Sequence, residues 1–228
     1  MTPAVLFDLD GTLTDSRLGI FRTARRAFAQ LSAALGREIA LPSDDRLGWI
    51  VGPPLRDSFA RLAGPENVER LMGFYRERYR NVGAFENEVY AGIPEALDAL
   101  LASGARLFVA TSKNEADAVR ILQHFGLDTR FEAIHGARED GGLADKTELI
   151  GHLLSTHALD PRQIPIAMIG DRKFDIIGAR NCALAAIGAL WGYGGRDELH
   201  DAGADVLLAG PGDVAGAVKG IRDRLSPP

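Results

Sequence analysis

Ala4-Val5-Leu6-Phe7-Asp8-Leu9-Asp10-Gly11-Thr12-Leu13-Thr14-Asp15 joins a short apolar run to two carboxylates and a Gly-Thr turn. Four apolar residues in succession suit a strand covered on both faces, as in a parallel sheet. Asp8 and Asp10 then emerge at its carboxyl end, where open α/β sheets bind their ligands. Two carboxylates this close repel each other unless a cation or a shared proton relieves them. That favours a chemical site over a structural one.

Similar apolar runs recur along the chain. Leu107 to Ala110, Ile166 to Ile169 and Leu184 to Ile187 read as buried strands, with Ala133 to His135 and Val206 to Leu208 as weaker ones. Amphipathic segments lie between them: Pro94 to Ala102, Glu115 to Phe125, Thr147 to Thr156, Phe174 to Asn181 and Asp213 to Leu225. This alternation predicts parallel βαβ units and an α/β, doubly wound, Rossmann-like sheet. Residues 16–86 break the rhythm. Ile20, Phe21, Ala24, Ala27, Phe28, Leu31 and Leu35 repeat at helical spacing, as do Leu55, Phe59 and Leu62, then Leu71, Phe74, Tyr75 and Tyr79. The expectation is a catalytic core of residues 1–15 and 87–228 with a small all-helical domain inserted at 16–86. Gly83 to Glu88 is the expected return hinge. Arginines in the insert, Arg22, Arg25 and Arg78 among them, are expected on solvated helix faces. The Ser226-Pro227-Pro228 tail is expected to fray.

Composition narrows the partners. Of 228 residues 46% are hydrophobic and 25% charged, the range of a globular protein with a real core. The formal charge is −5, with acids and bases interspersed, which argues against nucleic acid or an anionic membrane surface. The one cysteine, Cys182, allows no internal disulfide and no cysteine-rich zinc site, and reads as a small buried helix residue. No basic stretch precedes a long apolar segment, so a cytoplasmic protein without a signal peptide is expected.

Polar groups follow the predicted strands. Asp8 and Asp10 follow the first, Thr111 and Ser112 the second, and Gly170-Asp171-Arg172-Lys173-Phe174-Asp175 a later one; Lys146 precedes a helix. A parallel sheet points all its strand carboxyl ends one way, so these groups converge. The set has a chemical logic. A carboxylate can attack phosphorus and form an aspartyl-phosphate. A hard divalent cation held by carboxylate oxygens offsets the charge of the attacked anion. Hydroxyls and an ammonium hold the remaining phosphate oxygens. A second carboxylate protonates the leaving oxygen, then activates water.

At this point the chain resembles the haloacid dehalogenase superfamily of phosphatases. Asp8-Leu9-Asp10-Gly11-Thr12 is similar to its first motif, Thr111-Ser112 to its second, Lys146 to its third, and Gly170-Asp171 with Asp175 to its fourth. The helical insert falls where that superfamily carries its cap. The resemblance implies Asp8 as nucleophile and Mg²⁺ ligand, and Asp10 as general acid/base that also binds metal through its carbonyl. It implies Thr111, Ser112, Gly11 and Thr12 as phosphate contacts and Lys146 as charge neutraliser. Asp171 and Asp175 would complete the metal site, although Asp175 could equally pair with a nearby Lys or Arg. Asp145 and Asp15 read as helix caps. Arg172 and Lys173 depart from the small polar residues common at those positions.

Keeping Asp10 disfavours dehalogenation, because haloacid dehalogenases lack that aspartate and need no Mg²⁺. The stretch Ile50-Val51-Gly52-Pro53-Pro54-Leu55 resembles the phosphoglycolate phosphatase-like branch, where a glycine-containing cap loop shapes substrate choice. Gly52 therefore becomes a candidate substrate contact. Arg56 is either an anion contact or an exposed first-turn arginine. Gly188 to Leu199 resembles the same branch, including members named 5′-nucleotidases, and reads as a turn-rich loop. Trp191 and Tyr193 within it read as packing residues. The expected activity is Mg²⁺-dependent hydrolysis of a small phosphomonoester, phosphoglycolate-like or a nucleoside monophosphate. A sugar phosphomutase is the alternative, followed by a non-enzymatic phospho-acceptor or binding module.

Overall fold

The computed structural model describes residues 2–225; the Ser226-Pro227-Pro228 tail lies outside them. The chain opens with β1 (Ala4–Phe7), turns tightly and enters the two-residue strand β2 (Thr14–Asp15). Helices α1 (Arg17–Leu35), α2 (Leu55–Ala63) and α3 (Val68–Asn81) precede a second short strand, β3 (Glu88–Val89). Strand and helix then alternate: α4 (Ile93–Ala102), β4 (Arg106–Asn114), α5 (Glu115–His124), β5 (Ala133–Ala137), α6 (Lys146–Thr156), β6 (Ile166–Gly170). The run ends with α7 (Lys173–Asn181), β7 (Ala185–Ala189), α8 (Arg196–Asp201), β8 (Val206–Leu208) and α9 (Val214–Leu225).

The main sheet has the order β5-β4-β1-β6-β7-β8, with every neighbouring pair parallel. The chain winds outward from β1 through β4 to β5, then returns to β6 on the other side of β1. That reversal makes the carboxyl ends of β1 and β6 a topological switch point, the place where doubly wound sheets open a ligand crevice. The apolar runs align in register: Leu6 lies opposite Phe108 on one side and Met168 on the other. These three pack with Leu149, Ile150 and Leu153 of α6 and Ile176 and Ala179 of α7 in one buried layer. Val5 and Phe7 alternate to the other face and are equally buried.

The chain divides into two units, Met1–Thr14 with Val89–Pro228, and Asp15–Glu88. The divisions fall inside β2 and β3, which form their own two-stranded sheet. In the helical unit α1 buries Ile20, Ala24, Ala27, Phe28 and Leu31. Phe28, Phe59 and Tyr75 meet edge to face with centroids 5.6 Å apart, and Tyr75 stacks on Tyr79. Gly19 of α1 lies so close to the Gly83 carbonyl that any Cβ there would collide with it.

Several local expectations differ from the structure. Ser16, not Asp15, is the N-cap of α1; the Asp15 carboxylate accepts the Arg17 N–H (3.2 Å) and pairs with its guanidinium. Arg78 is no solvated-face residue: it donates to Thr23 Oγ1 (2.7 Å) and pairs with Glu86 (2.9 Å), which Arg22 also meets. Arg25 does keep an exposed helix face, where it pairs with the exposed Asp44. The stretch read as a turn-rich loop contains α8 from Arg196 onward. Cys182 is the half-buried C-cap of α7, its thiol donating to the Thr147 carbonyl.

Candidate active site

Asp8 follows β1 directly, and the chain then turns through Gly11. The Leu9 carbonyl accepts the N–H groups of Leu13 (2.9 Å) and Thr14 (3.0 Å), and Gly11 N–H reaches back to Thr14 O (2.7 Å). Gly11 takes a positive φ of 90°, and a Cβ on it would run into the Asp171 carboxylate. Glycine therefore lets the β1 turn lie directly against the end of β6. The indole N–H of Trp191 holds the turn from outside, donating to Thr12 O (3.0 Å).

Asp8, Asp171 and Asp175 each offer a carboxylate oxygen, and these lie within 4.8 Å of one another. All three residues are buried, Asp171 completely. Lys146 faces two of them, with Nζ 3.0 Å from Asp8 Oδ1 and 2.8 Å from Asp175 Oδ1. Its Nζ also donates to Ala110 O at 2.9 Å, while Asp175 Oδ1 meets it as an ion pair. α6 starts here because the Asp145 side chain accepts the N–H groups of Thr147 (2.9 Å) and Glu148 (3.1 Å), the expected cap. Asp175 Oδ2 accepts the Arg172 N–H (3.1 Å) at the start of α7. Asp171 is oriented by Thr12, which donates from Oγ1 (3.2 Å), and by Tyr193 N–H (2.7 Å).

The charges do not balance within the protein. Three buried carboxylates share one ammonium. Burial, then Asp175 and Asp8, push the Asp171 carboxyl well above its ordinary range, against the pull of the Tyr193 N–H. Burial likewise pushes Asp175 up to about 6, with Lys146 pulling the other way. For Lys146 burial opposes the charge, but Asp175 and Asp8 outweigh it and raise its pKa. An oxygen-rich, net-negative, buried pocket is the donor set that a hard divalent cation takes, so these residues fit a Mg²⁺-type ion.

Asp10 stands apart from this triad. Its Oδ2 pairs with Lys113 Nζ at 2.7 Å, and its Oδ1 is buried with no hydrogen-bond partner among the described residues. Lys113 was not singled out from the sequence. The signal available was its place directly after Thr111-Ser112; β4 runs on past the apolar Leu107 to Ala110 to Asn114, carrying Lys113 along. Thr111 is buried and its Oγ1 accepts the Lys113 N–H (3.2 Å), leaving its own proton to donate. Ser112, expected to contact phosphate, spends its hydroxyl proton on Ala144 O (3.1 Å). Arg172 pairs with Glu198 of α8 (2.9 Å), and the same carboxylate accepts the Lys173 N–H. Gly52 and Arg56 belong to the helical unit, where Arg56 pairs with Glu69.

Comparison with known proteins gives a consistent relationship. Residues 5–189 match the family model described as haloacid dehalogenase-like hydrolase. The chain is 43% identical over 200 residues to a 5′-nucleotidase of Pseudomonas aeruginosa, covering 87% of each protein. It is 37% identical over 203 residues to a protein of Mycobacterium tuberculosis named tyrosine-protein kinase PtkA, covering 89% of this chain and 67% of that one. A crystal structure titled as a predicted phosphatase from Clostridium acetobutylicum superposes with a TM-score of 0.87 at 34% identity. That match covers 96% of this chain and 99% of the other. Among the described residues no helix is long and apolar enough to cross a membrane.

Proposed function

Since the chain belongs to the haloacid dehalogenase-like hydrolases, we propose that it is a Mg²⁺-dependent phosphatase acting on a small phosphomonoester through an aspartyl-phosphate. The observation that carries this reading is the buried cluster of Asp8, Asp171 and Asp175 with Lys146 placed against two of them. Asp8 attacks phosphorus, forming a P–O bond as the bond to the leaving oxygen breaks. Asp10, held by Lys113, gives that oxygen a proton. It then takes a proton from the water that attacks the aspartyl-phosphate, which frees phosphate and restores the Asp8 carboxylate. Lys146 and the Thr111 hydroxyl bind the phosphoryl oxygens. Asp8, Asp171 and Asp175, with the Asp10 carbonyl, would hold the cation, which when bound offsets the charge of the phosphoryl group. Thr12 acts by orienting Asp171, and Ser112 by tying β4 to the segment before α6.

The helical unit is the substrate-selecting cap in this reading, with Gly52 and Arg56 contributing to the choice of leaving group. The 43% identity to a 5′-nucleotidase favours a nucleoside monophosphate over a phosphoglycolate-type substrate. The test is phosphate release from a panel of nucleoside monophosphates, phosphoglycolate and sugar phosphates, with Mg²⁺ and with chelator. Mg²⁺-dependent release from at least one ester is expected, and failure on all of them overturns the reading. Sugar-phosphate isomerisation outrunning phosphate release would instead identify a phosphomutase. Asp8→Asn is expected to lower kcat on the order of 10³-fold or more while preserving the fold; near-normal turnover would remove Asp8 as nucleophile.

A further inference from the structure

The chain has five histidines, and three of them meet beside the edge of the sheet. His135 stands on the edge strand β5, His152 lies in α6, and His157 is the C-cap of α6. His135 pairs in register with Ala110, so its side chain points to the face that carries Ala110, Phe108 and α6. His135 Nε2 and His157 Nε2 are 2.9 Å apart, with the ring planes at 80°. The His152 ring centroid lies 5.7 Å from that of His135. All three residues are partly exposed, so an ion can reach them. His157 comes eleven positions after Lys146, a rise of about 16 Å along α6. The cluster is therefore separate from the aspartate site.

Two neutral imidazoles at this distance can share one proton, one ring donating to the lone pair of the other. A cation would use both lone pairs. With metal–nitrogen bonds of about 2.05 Å, nitrogens 2.9 Å apart subtend about 90° at the ion. A tetrahedral ion would hold its nitrogens about 3.3 Å apart. A right angle suits two adjacent ligands of a square-planar or tetragonal ion, the geometry of Cu²⁺ and Ni²⁺ with nitrogen ligands. The geometry points to a second metal site, in which His135 Nε2 and His157 Nε2 bind Cu²⁺ or Ni²⁺ as adjacent ligands, with the His152 imidazole alongside and water completing the shell. The nearby Glu115 carboxylate is engaged by the Gly136 N–H (3.1 Å), which leaves the imidazoles as the main donors. The two sites thus select different ions: carboxylates a hard cation, imidazoles a softer one. A bound ion would fasten β5 to the end of α6 remote from Lys146.

The test uses the full chain, stripped with chelator and returned to saturating Mg²⁺ so that the aspartate site is filled. Ni²⁺ titration by calorimetry is expected to show one further ion bound, with a rise in Tm. His135→Ala and His157→Ala should each weaken that binding at least tenfold and abolish the Ni²⁺-induced rise, whereas Asp171→Asn should retain both. If an alanine variant does not fold, His135→Asn and His157→Asn carry the same comparison. Cu²⁺ bound in place of Ni²⁺ should show nitrogen hyperfine couplings from at least two imidazoles. Absence of Ni²⁺ binding in Mg²⁺, binding indifferent to both histidine substitutions, or a Cu²⁺ signal with oxygen ligands alone would each overturn the proposal.

Discussion

Lys146 shows local and global demands in conflict at a single residue. It sits in the first turn of α6, where the positive end of the helix repels a cation. It is also 5% exposed, a rare state for lysine. Only Asp8, Asp175 and the Ala110 carbonyl make that position tolerable. Lys146→Met should therefore do more than slow the reaction. Removing the ammonium leaves buried carboxylates uncompensated, an imbalance that typically costs about 3–5 kcal/mol. Denaturant unfolding in chelator should show that loss, and Mg²⁺ should recover part of it. Asp10 calls for a different measurement, because protonating a leaving oxygen matters most when that oxygen is basic. Asp10→Asn is expected to depress kcat/KM for an alkyl phosphate at least tenfold more than for p-nitrophenyl phosphate, as general-acid catalysis requires. Lys113→Met, which removes the partner of Asp10, should show the same pattern more weakly. Equal losses on both esters would leave Asp10 without the proton-transfer role.

At the scale of elements, legibility followed length and burial. β1, β6, β7 and the Leu107 to Ala110 part of β4 were readable because each is a continuous apolar run, and α1 and α3 because their buried residues repeat over several turns. β2 and β3 have two residues each, too few for any period to register. α8 buries only Leu199 and is otherwise charged, so its six residues looked like loop. The same limit hid Lys113, since the polar end of β4 carries no apolar alternation. The aspartates, Thr111 and Lys146 were legible through their places around the strand ends. Thr12 and Ser112 show what spacing could not supply, because the partner of a hydroxyl depends on the tertiary fold. The end of α7 offers a test of element-level energetics. Ala183 follows its C-cap at φ 58°, a conformation that costs a residue with a Cβ about 1–2 kcal/mol. Glycine removes that strain and adds chain entropy to the unfolded state of about 0.4–1 kcal/mol. Ala183→Gly should accordingly stabilise the protein by about 0.5 kcal/mol net, measured as a higher denaturant midpoint at unchanged slope.

For the whole molecule, the aspartate cluster links stability to both pH and metal. Free aspartate titrates near 3.9. In the folded protein burial raises Asp175 to about 6, and burial with Asp175 and Asp8 raises Asp171 well above its ordinary value. Between those limits the folded state holds more protons than the unfolded state, so this contribution to stability falls as pH rises. It is fully present below about pH 4 and is lost as pH climbs through the folded-state values. Remote carboxylates such as Glu86 and Glu132, lowered by their arginine partners, act in the opposite sense at more acid pH. Comparing melts with and without Mg²⁺ cancels those remote groups. In chelator, Tm should decline from pH 4 towards pH 7 relative to the Mg²⁺ curve, because a divalent cation binds the charged carboxylates and so favours the form that the empty pocket resists. The gap between the curves should widen with pH and shrink in Asp171→Asn, which removes one of the three charges. Parallel curves across that range would show that the cluster does not couple metal binding to the stability of the fold.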